Sequence, residues 1–273
     1  MRLILITLTV LAALLALLLV GQRRLIYLPI PSTVPPVETA LPGAEERTLV
    51  TDDGLDLAAW LARPTGHDRG VGVLVAPGNA GHRGMRAPLA EALRDCGFTV
   101  LLMDYRGYAG NPGRPTEAGL HRDALAARAD LQAATGFADA DLLYYGESIG
   151  TGVVAGLAAA HPPGGLVLRS PFPELADVGA THYPFLPVRS LLRDRYPVAD
   201  AVTDLDVPVT VIYGTADRIV PPELSEQVAQ AADDVEVVRV DADHNDPALL
   251  DGPDLIDAVC RRALRDERGP AER

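Results

Sequence analysis

The sequence predicts an α/β fold in which a mostly parallel central sheet carries helices on both faces. From residue 71 onward, short apolar segments alternate with longer helical segments, an order typical of parallel sheets. Several apolar segments run directly into loops that contain a serine, an aspartate or a histidine. With 273 residues, 48% of them hydrophobic, the chain is long enough for one domain with a sizeable core.

The N-terminus carries an apolar segment, Leu3 to Val20, that contains no charged residue. As a helix it would extend roughly 27 Å, close to the hydrocarbon thickness of a bilayer. We therefore expect a transmembrane anchor over residues 1–24 and a single-pass membrane location, with the side of the membrane undetermined. A cleaved signal peptide is the alternative, although the segment exceeds the usual apolar core and no A-x-A site follows it.

Residues 25–46 are rich in proline and low in charge, which argues against a regular helix. They predict a linker, either a semi-rigid spacer or an extended strap on the domain surface. Thr48 to Ala62 then predicts a hairpin that turns at Asp52-Asp53-Gly54. We expect the main domain to occupy residues 47–265, followed by a polar, disordered tail over residues 266–273.

The main domain predicts strands and helices in alternation, each recognised from its apolar pattern. Strands are expected at Val71–Ala76, Phe98–Met103, Asp141–Tyr145, Leu166–Leu168, Val207–Gly214 and Val235–Val240. Helices are expected at Arg83–Asp95, Thr116–Thr135, Ile149–His161, Pro221–Ala232 and Pro247–Leu264.

The segment Gly146-Glu147-Ser148-Ile149-Gly150 lies between a predicted strand and a predicted helix. Its G-x-S-x-G pattern is typical of a tight turn that exposes a nucleophilic serine, because glycines on either side remove steric clashes. The competing interpretation is an ordinary serine in a strand-to-helix turn. Ser148 is therefore the candidate nucleophile.

A serine hydroxyl needs a base, and the base needs an orienting carboxylate. Asp217 and His244 follow the two strands after Ser148, which makes them the candidate acid and base. His82 is a rival base, and Asp243 and Asp246 are rival acids that flank His244. The developing oxyanion needs backbone donors. We expect these from Ile149 and from Asn79, in the loop after the strand Val71–Ala76.

A short insertion over about residues 171–206 is expected to form a cap. Its aromatic and leucine side chains either line a substrate pocket or pack the cap onto the sheet. The candidate pocket residues are Phe172, Tyr183, Phe185 and Leu186. The remaining histidines do not have metal-ligand spacing, so no metal is expected.

The chain resembles the N-terminally membrane-anchored serine hydrolases of the alpha/beta-hydrolase superfamily, a group that includes protein depalmitoylases and bacterial esterases. The resemblance covers most of residues 47–265. It rests on PGNAG at Pro77–Gly81, MDYRGYAGNPGRPTEAGL at Met103–Leu120, YGESIGTG at Tyr145–Gly152, SPFPELADVGATHYPFLPVRSLL at Ser170–Leu192, VPVTVIYGTADRIVP at Val207–Pro221 and DHND at Asp243–Asp246.

The resemblance implies an alpha/beta-hydrolase fold, with Ser148, Asp217 and His244 as a catalytic triad and the Asn79 and Ile149 amides as oxyanion hole. The family usually has His-Gly-Asn where this chain has Pro77-Gly78-Asn79, which affects the rigidity of that loop rather than its amide. The implied activity is hydrolysis of a carboxylic ester or thioester, without a cofactor, on a substrate such as a lipid or an acylated protein. The alternatives are a serine peptidase, an acyltransferase and a catalytically silent, membrane-tethered binding protein.

Charge and cysteine content narrow the function classes further. A formal net charge of -13 opposes nucleic-acid binding, which requires basic patches. Cys96 and Cys260 both lie in predicted helices, and a buried free thiol at each is the simpler expectation. A disulfide between them is the alternative if the first and last helices of the main domain share one face of the sheet. It would require an oxidising compartment.

Overall fold

The computed structural model describes residues 1–29 and 33–265 and contains one eight-stranded sheet. The strand order is β1-β2-β4-β3-β5-β6-β7-β8, with β2 antiparallel to β1 and β4 and the other pairs parallel. The strands are β1 Glu45–Val50, β2 Asp56–Ala62, β3 Gly72–Ala76, β4 Thr99–Met103, β5 Leu142–Glu147, β6 Gly165–Arg169, β7 Val209–Gly214 and β8 Val235–Val240. The predicted α/β fold and the N-terminal hairpin are both confirmed.

Helices cover both faces of the sheet, and each face has its own apolar core. Successive residues of β3 divide between the cores: Leu74 packs in one and Val75 in the other, as expected for a strand buried on both sides. The helices are α1 Arg2–Ile26, α2 Val37–Ala40, α3 Ala87–Asp95, α4 Glu117–Thr135, α5 Ile149–Ala160, α6 Leu175–His182, α7 Val188–Leu191, α8 Val198–Thr203, α9 Pro222–Ala231, α10 Pro247–Leu250 and α11 Pro253–Arg265.

Two predicted helices are interrupted for local reasons. The first begins as a 3-10 helix over Arg83–Arg86 before it continues as α3. The last is divided into α10 and α11 at Gly252, where a Cβ atom would lie 2.4 Å from the carbonyl oxygen of Ala248. Pro253 then begins α11, since its missing N–H is tolerated in the first turn of a helix.

Helices α3 and α11 lie on the same face of the sheet, and a disulfide joins the residue directly after α3 to a residue of α11. Cys96 and Cys260 form this bond with a Cα–Cα distance of 6.2 Å. Both residues pack with the same apolar core. The simpler expectation of two free thiols is therefore wrong, and the alternative that depended on a shared face is the one observed.

The predicted transmembrane anchor and the single-pass membrane location need correction. Within residues 1–29 and 33–265, no helix has both the length and the apolar character that crossing a membrane requires. The C-terminal end of α1 lies against the main domain: Gln22 and Tyr27 are buried, and Arg23 forms an ion pair with Asp194.

The segment between α1 and the sheet follows the domain surface where the structure describes it. Val37 and Leu41 are buried in the same core as α3, which is the strap alternative rather than a free spacer. Residues 30–32 of the predicted linker and the predicted tail over residues 266–273 lie outside the described residues.

Candidate active site

Ser148 sits in a strained turn between β5 and α5. Its backbone angles are φ 50° and ψ −118°, an unusual combination for a residue with a side chain. The turn requires very close backbone packing, because a Cβ on Gly146 would lie 2.5 Å from the carbonyl oxygen of Gly150. A Cβ on Gly150 would meet the carbonyl oxygen of Ala76 at 2.3 Å. The glycines of the motif therefore hold Ser148 at the carboxyl edge of the sheet.

Asp217 and His244 follow β7 and β8, and their side chains are joined. The Nδ1 atom of His244 lies 2.7 Å from Oδ2 of Asp217, while Oδ1 of Asp217 accepts from the amides of Ile219 and Val220. Burial would raise the pKa of Asp217, but the hydrogen bond and charge of His244, with those amides, hold it below its ordinary value. Asp217 is thus kept ionised beside the imidazole.

The rival residues point elsewhere. Asp243 binds the guanidinium of Arg218 and accepts from the backbone amide of His244 at 2.8 Å. Asp246 caps α10 by accepting from the amide of Ala248. The His82 ring accepts from the amide of Gly84, and burial lowers the pKa of its imidazole. The side chains of Asp243 and Asp246 therefore bind groups other than the His244 ring. The ring of His82 binds a backbone amide of its own loop.

The loop after β3 carries Asn79, whose side chain is hydrogen-bonded at both its oxygen and its nitrogen. Its Oδ1 accepts from the hydroxyl of Tyr108 at 2.7 Å and from the amide of Leu28 at 2.9 Å. Its Nδ2 donates to the carbonyl oxygen of Ile26 at 2.5 Å. The next residue, Ala80, has a positive φ of 66°, so the turn is held in a conformation that residues with a side chain seldom adopt.

Ser148 and His244 line one cavity of about 650 Å³. Asn79 and Ile149, the expected oxyanion residues, also reach it, as do Arg86 and Arg169. Most of the remaining wall is apolar and comes from the end of α1 and the residues after it, from the cap and from the loop after β7: Leu25, Ile26, Leu28, Phe172, Leu175, Val178, Tyr183, Leu186, Val188, Leu191, Leu192, Ile219 and Val220. Among the candidate pocket residues, Phe185 is outside this wall and is 78% exposed.

In the part of the chain that the structure describes, no cluster of three or more His, Cys, Asp or Glu side chains could hold a metal ion. The candidate site is made of one serine and one histidine–aspartate pair, and the expected oxyanion residues Asn79 and Ile149 line the same cavity. Such a set can move a proton and stabilise an oxyanion.

Comparison with known proteins shows what the chain as a whole is similar to. The family described as "Serine aminopeptidase, S33" matches residues 67–192. An uncharacterised protein of Mycobacterium tuberculosis is 49% identical over 242 residues, or 88% of this chain and 86% of the relative. An esterase of Pyrococcus furiosus has a similar fold, with a TM-score of 0.68 at 19% identity over 88% of this chain and 98% of its own.

The chain belongs to the alpha/beta-hydrolase superfamily. A lysophosphatidylserine lipase of Danio rerio is 29% identical over 59% of this chain and 47% of its own length, so the matched part is about half of that relative. Together these matches support a hydrolase.

This alpha/beta-hydrolase also has a buried charged cluster that the sequence patterns did not predict. Oε2 of Glu147 lies 2.6 Å from Nη2 of Arg86 and 3.4 Å from Nη2 of Arg169. Nη1 of Arg169 donates to the carbonyl oxygen of His244 at 2.8 Å. Burial opposes ionisation of Glu147, but the two arginines outweigh it and hold the pKa of Glu147 below its ordinary value. The sequence offered two signals for this cluster: a glutamate directly before the serine and an arginine at the end of an apolar strand.

Proposed function

We propose that this protein is a serine hydrolase that cleaves a carboxylic ester or thioester through an acyl-enzyme. The observation that carries the proposal is the 2.7 Å hydrogen bond between Nδ1 of His244 and Oδ2 of Asp217, together with the cavity that His244 and Ser148 both line. Because Nδ1 of His244 is occupied by Asp217, Nε2 remains to take the serine proton.

The proposed reaction follows from these roles. Ser148 attacks the carbonyl carbon while its proton passes to His244, and Asp217 stabilises the resulting imidazolium. The amides of Ile149 and Asn79 donate to the oxyanion, which forms only as the carbonyl becomes tetrahedral. His244 then gives its proton to the departing alcohol or thiol, and water reverses the sequence on the acyl-enzyme.

The cavity wall supports an acyl group as the part of the substrate that is bound. Its apolar side chains would remove a hydrocarbon chain from water, at about 0.8 kcal/mol per CH₂ group. The names of the Danio rerio lipase and the Pyrococcus furiosus esterase are consistent with an ester substrate.

A peptidase is the second candidate, since the matched family is described as a serine aminopeptidase. An aminopeptidase binds a cationic amino terminus, for which a carboxylate is the natural partner. Among the described residues that line the cavity there is no Asp or Glu, and the lining arginines Arg86 and Arg169 share one buried carboxylate, Glu147, which leaves an excess of positive charge. These contacts favour an acyl ester or thioester over a peptide amino terminus.

The proposal is tested by labelling with a fluorophosphonate probe and by hydrolysis of p-nitrophenyl esters of increasing acyl length. We expect wild type to be labelled and Ser148→Ala to lose both labelling and turnover. Ser190→Ala is the matched control, because Ser190 is an exposed cap serine and its loss should change neither readout. Folded wild type that is unlabelled and inert towards every ester would overturn the proposal. Turnover of aminoacyl-anilides with no turnover of esters would replace it with the peptidase.

A further inference from the structure

Residues 22–28, the end of α1 and the residues after it, bind the loop that carries Asn79. Both functional ends of the Asn79 amide contact this segment: Nδ2 donates to the Ile26 carbonyl and Oδ1 accepts from the Leu28 amide. The Ile26 carbonyl is one of those that a helix leaves unpaired at its C-terminus. Asn79 therefore bonds to the end of α1 with its side chain, while its backbone amide belongs to the proposed oxyanion hole.

The same segment is fixed to the cap by a second set of contacts. Arg23 forms a bidentate pair with Asp194 at 2.9 and 3.0 Å, and the Tyr27 hydroxyl lies 3.1 Å from Asp194 and 2.9 Å from the Tyr196 hydroxyl. Gln22 donates to the Leu191 carbonyl and accepts from the amide of Arg193. Burial raises the pKa of Tyr27, so its hydroxyl remains protonated and can donate to Asp194.

The segment consequently joins the cap to the oxyanion loop across the cavity. Gln22, Leu25, Ile26 and Leu28 also form part of the cavity wall. The turn at Asn79 and Ala80 is strained, because Ala80 has a positive φ. Such a conformation persists only where the surrounding contacts hold it in place. The family match begins at residue 67, so this support comes from residues outside the matched region.

We propose that residues 22–28 are positioning residues of the active site, which set the direction of the Asn79 amide through its side chain. This inference rests on the proposed function, because it assigns a role in the same oxyanion hole. A displaced amide would stabilise the transition state less, while the ground-state carbonyl would bind almost as before. The expected signature is a lower kcat with little change in KM for a short acyl ester, whose chain barely touches the wall.

The experiment measures kcat and KM of Asn79→Ala, Arg23→Ala and the double variant with a short-chain p-nitrophenyl ester. Asn79→Ala retains the backbone amide and removes only the side-chain contacts. We expect each single variant to lose about tenfold in kcat, less than the 10²–10³-fold typical of a deleted oxyanion donor. The double variant should lose little more than either, because both changes act through one loop. Arg2→Ala is the matched control, since Arg2 is an exposed arginine of the same helix that lies outside residues 22–28.

Circular dichroism and melting temperature separate positioning from folding. Arg23→Lys should recover part of the kcat, since it retains a charge for Asp194. If Arg23→Ala does not fold, Tyr27→Phe removes only the hydroxyl that binds Asp194 and Tyr196, and a smaller loss in kcat is expected.

Folded Asn79→Ala and Tyr27→Phe with wild-type kcat would overturn the inference. In that case labelling and turnover by wild type would leave the proposed function intact. Additive losses in the double variant would also contradict a shared loop. A wild type that neither labels nor hydrolyses esters would overturn the proposed function, and the inference with it.

Discussion

Arg169 donates a hydrogen bond from its guanidinium to the carbonyl oxygen of His244 at 2.8 Å. A second nitrogen of the same guanidinium, Nη2, lies 3.4 Å from a carboxylate oxygen of Glu147, the residue before Ser148. One buried side chain at the end of β6 thereby connects the turn that holds the candidate nucleophile to the loop that holds the candidate base. The distance between those two loops then depends on Arg169, although Arg169 lies outside the G-x-S-x-G, acid and histidine pattern and Glu147 fills one of its unspecified positions.

Arg169→Met should lower both stability and activity. Glu147 would keep Arg86 as its partner, so the loss of unfolding free energy should stay below the roughly 3–5 kcal/mol that a fully unpaired buried charge costs. Loss of the bond to the His244 carbonyl should also lower kcat more than it changes KM, because the base moves relative to Ser148. Urea denaturation and ester kinetics measure the two effects. Arg261→Met removes an exposed arginine paired with Glu236, and wild-type values are expected for it. Equal losses in both variants would contradict a specific role of Arg169.

Asp217→Asn should reduce activity far more than Asp243→Asn. An asparagine in place of the orienting carboxylate favours the wrong imidazole tautomer, and kcat is expected to fall by about 10⁴-fold. Asp243 instead pairs with Arg218, whose side chain is 86% exposed, and an exposed pair contributes about 1 kcal/mol or less. Its replacement should cost no more than about tenfold. Ester kinetics on the two purified variants measure both losses in kcat. A larger loss in Asp243→Asn than in Asp217→Asn would assign the role of the acid to Asp243.

The candidate catalytic positions could be proposed from the sequence because the proposal depends on local patterns. A serine between glycines, and an aspartate and a histidine after successive apolar strands, are each visible within a few residues, and parallel strands bring their carboxyl ends to one edge. The structure joins Asp217 to His244 and places Ser148 in the same cavity. The fold followed from the same alternation of strands and helices.

The long-range contacts were not predictable in the same way. Arg23 meets Asp194 and Asn79 meets Ile26 across separations of 171 and 53 residues, and hydrophobic periodicity contains no information on such pairs. The apolar character of residues 3–20 suggested an anchor, but no helix among the described residues is long and apolar enough to span a membrane. The Cys96–Cys260 bond likewise depended on which face of the sheet α3 and α11 occupy, which the order of elements alone does not determine.

The pH dependence of stability should include a contribution from Asp217. Its pKa in the folded protein lies below the ordinary value of about 4. The stabilisation is therefore fully present above about pH 4 and is lost as the pH falls through the folded pKa. Asp217→Asn cannot titrate, so its unfolding free energy should decline less steeply below pH 4 than that of wild type. Urea denaturation from pH 3 to pH 7 measures both slopes, and parallel curves would show that Asp217 is not stabilised as an anion.

Reduction of the Cys96–Cys260 disulfide should destabilise the domain. The bond joins residues 164 positions apart, so it restricts a long loop of the unfolded chain. Its loss is expected to cost about 2–5 kcal/mol, and roughly 5–15 °C in melting temperature for a domain of this size. Calorimetry with and without dithiothreitol measures the change. The Cys96→Ser, Cys260→Ser double variant is the control. It should melt at the temperature of reduced wild type, and dithiothreitol should not change that temperature. Thiol titration in denaturant that finds two free thiols in wild type purified without reductant would contradict the bond itself.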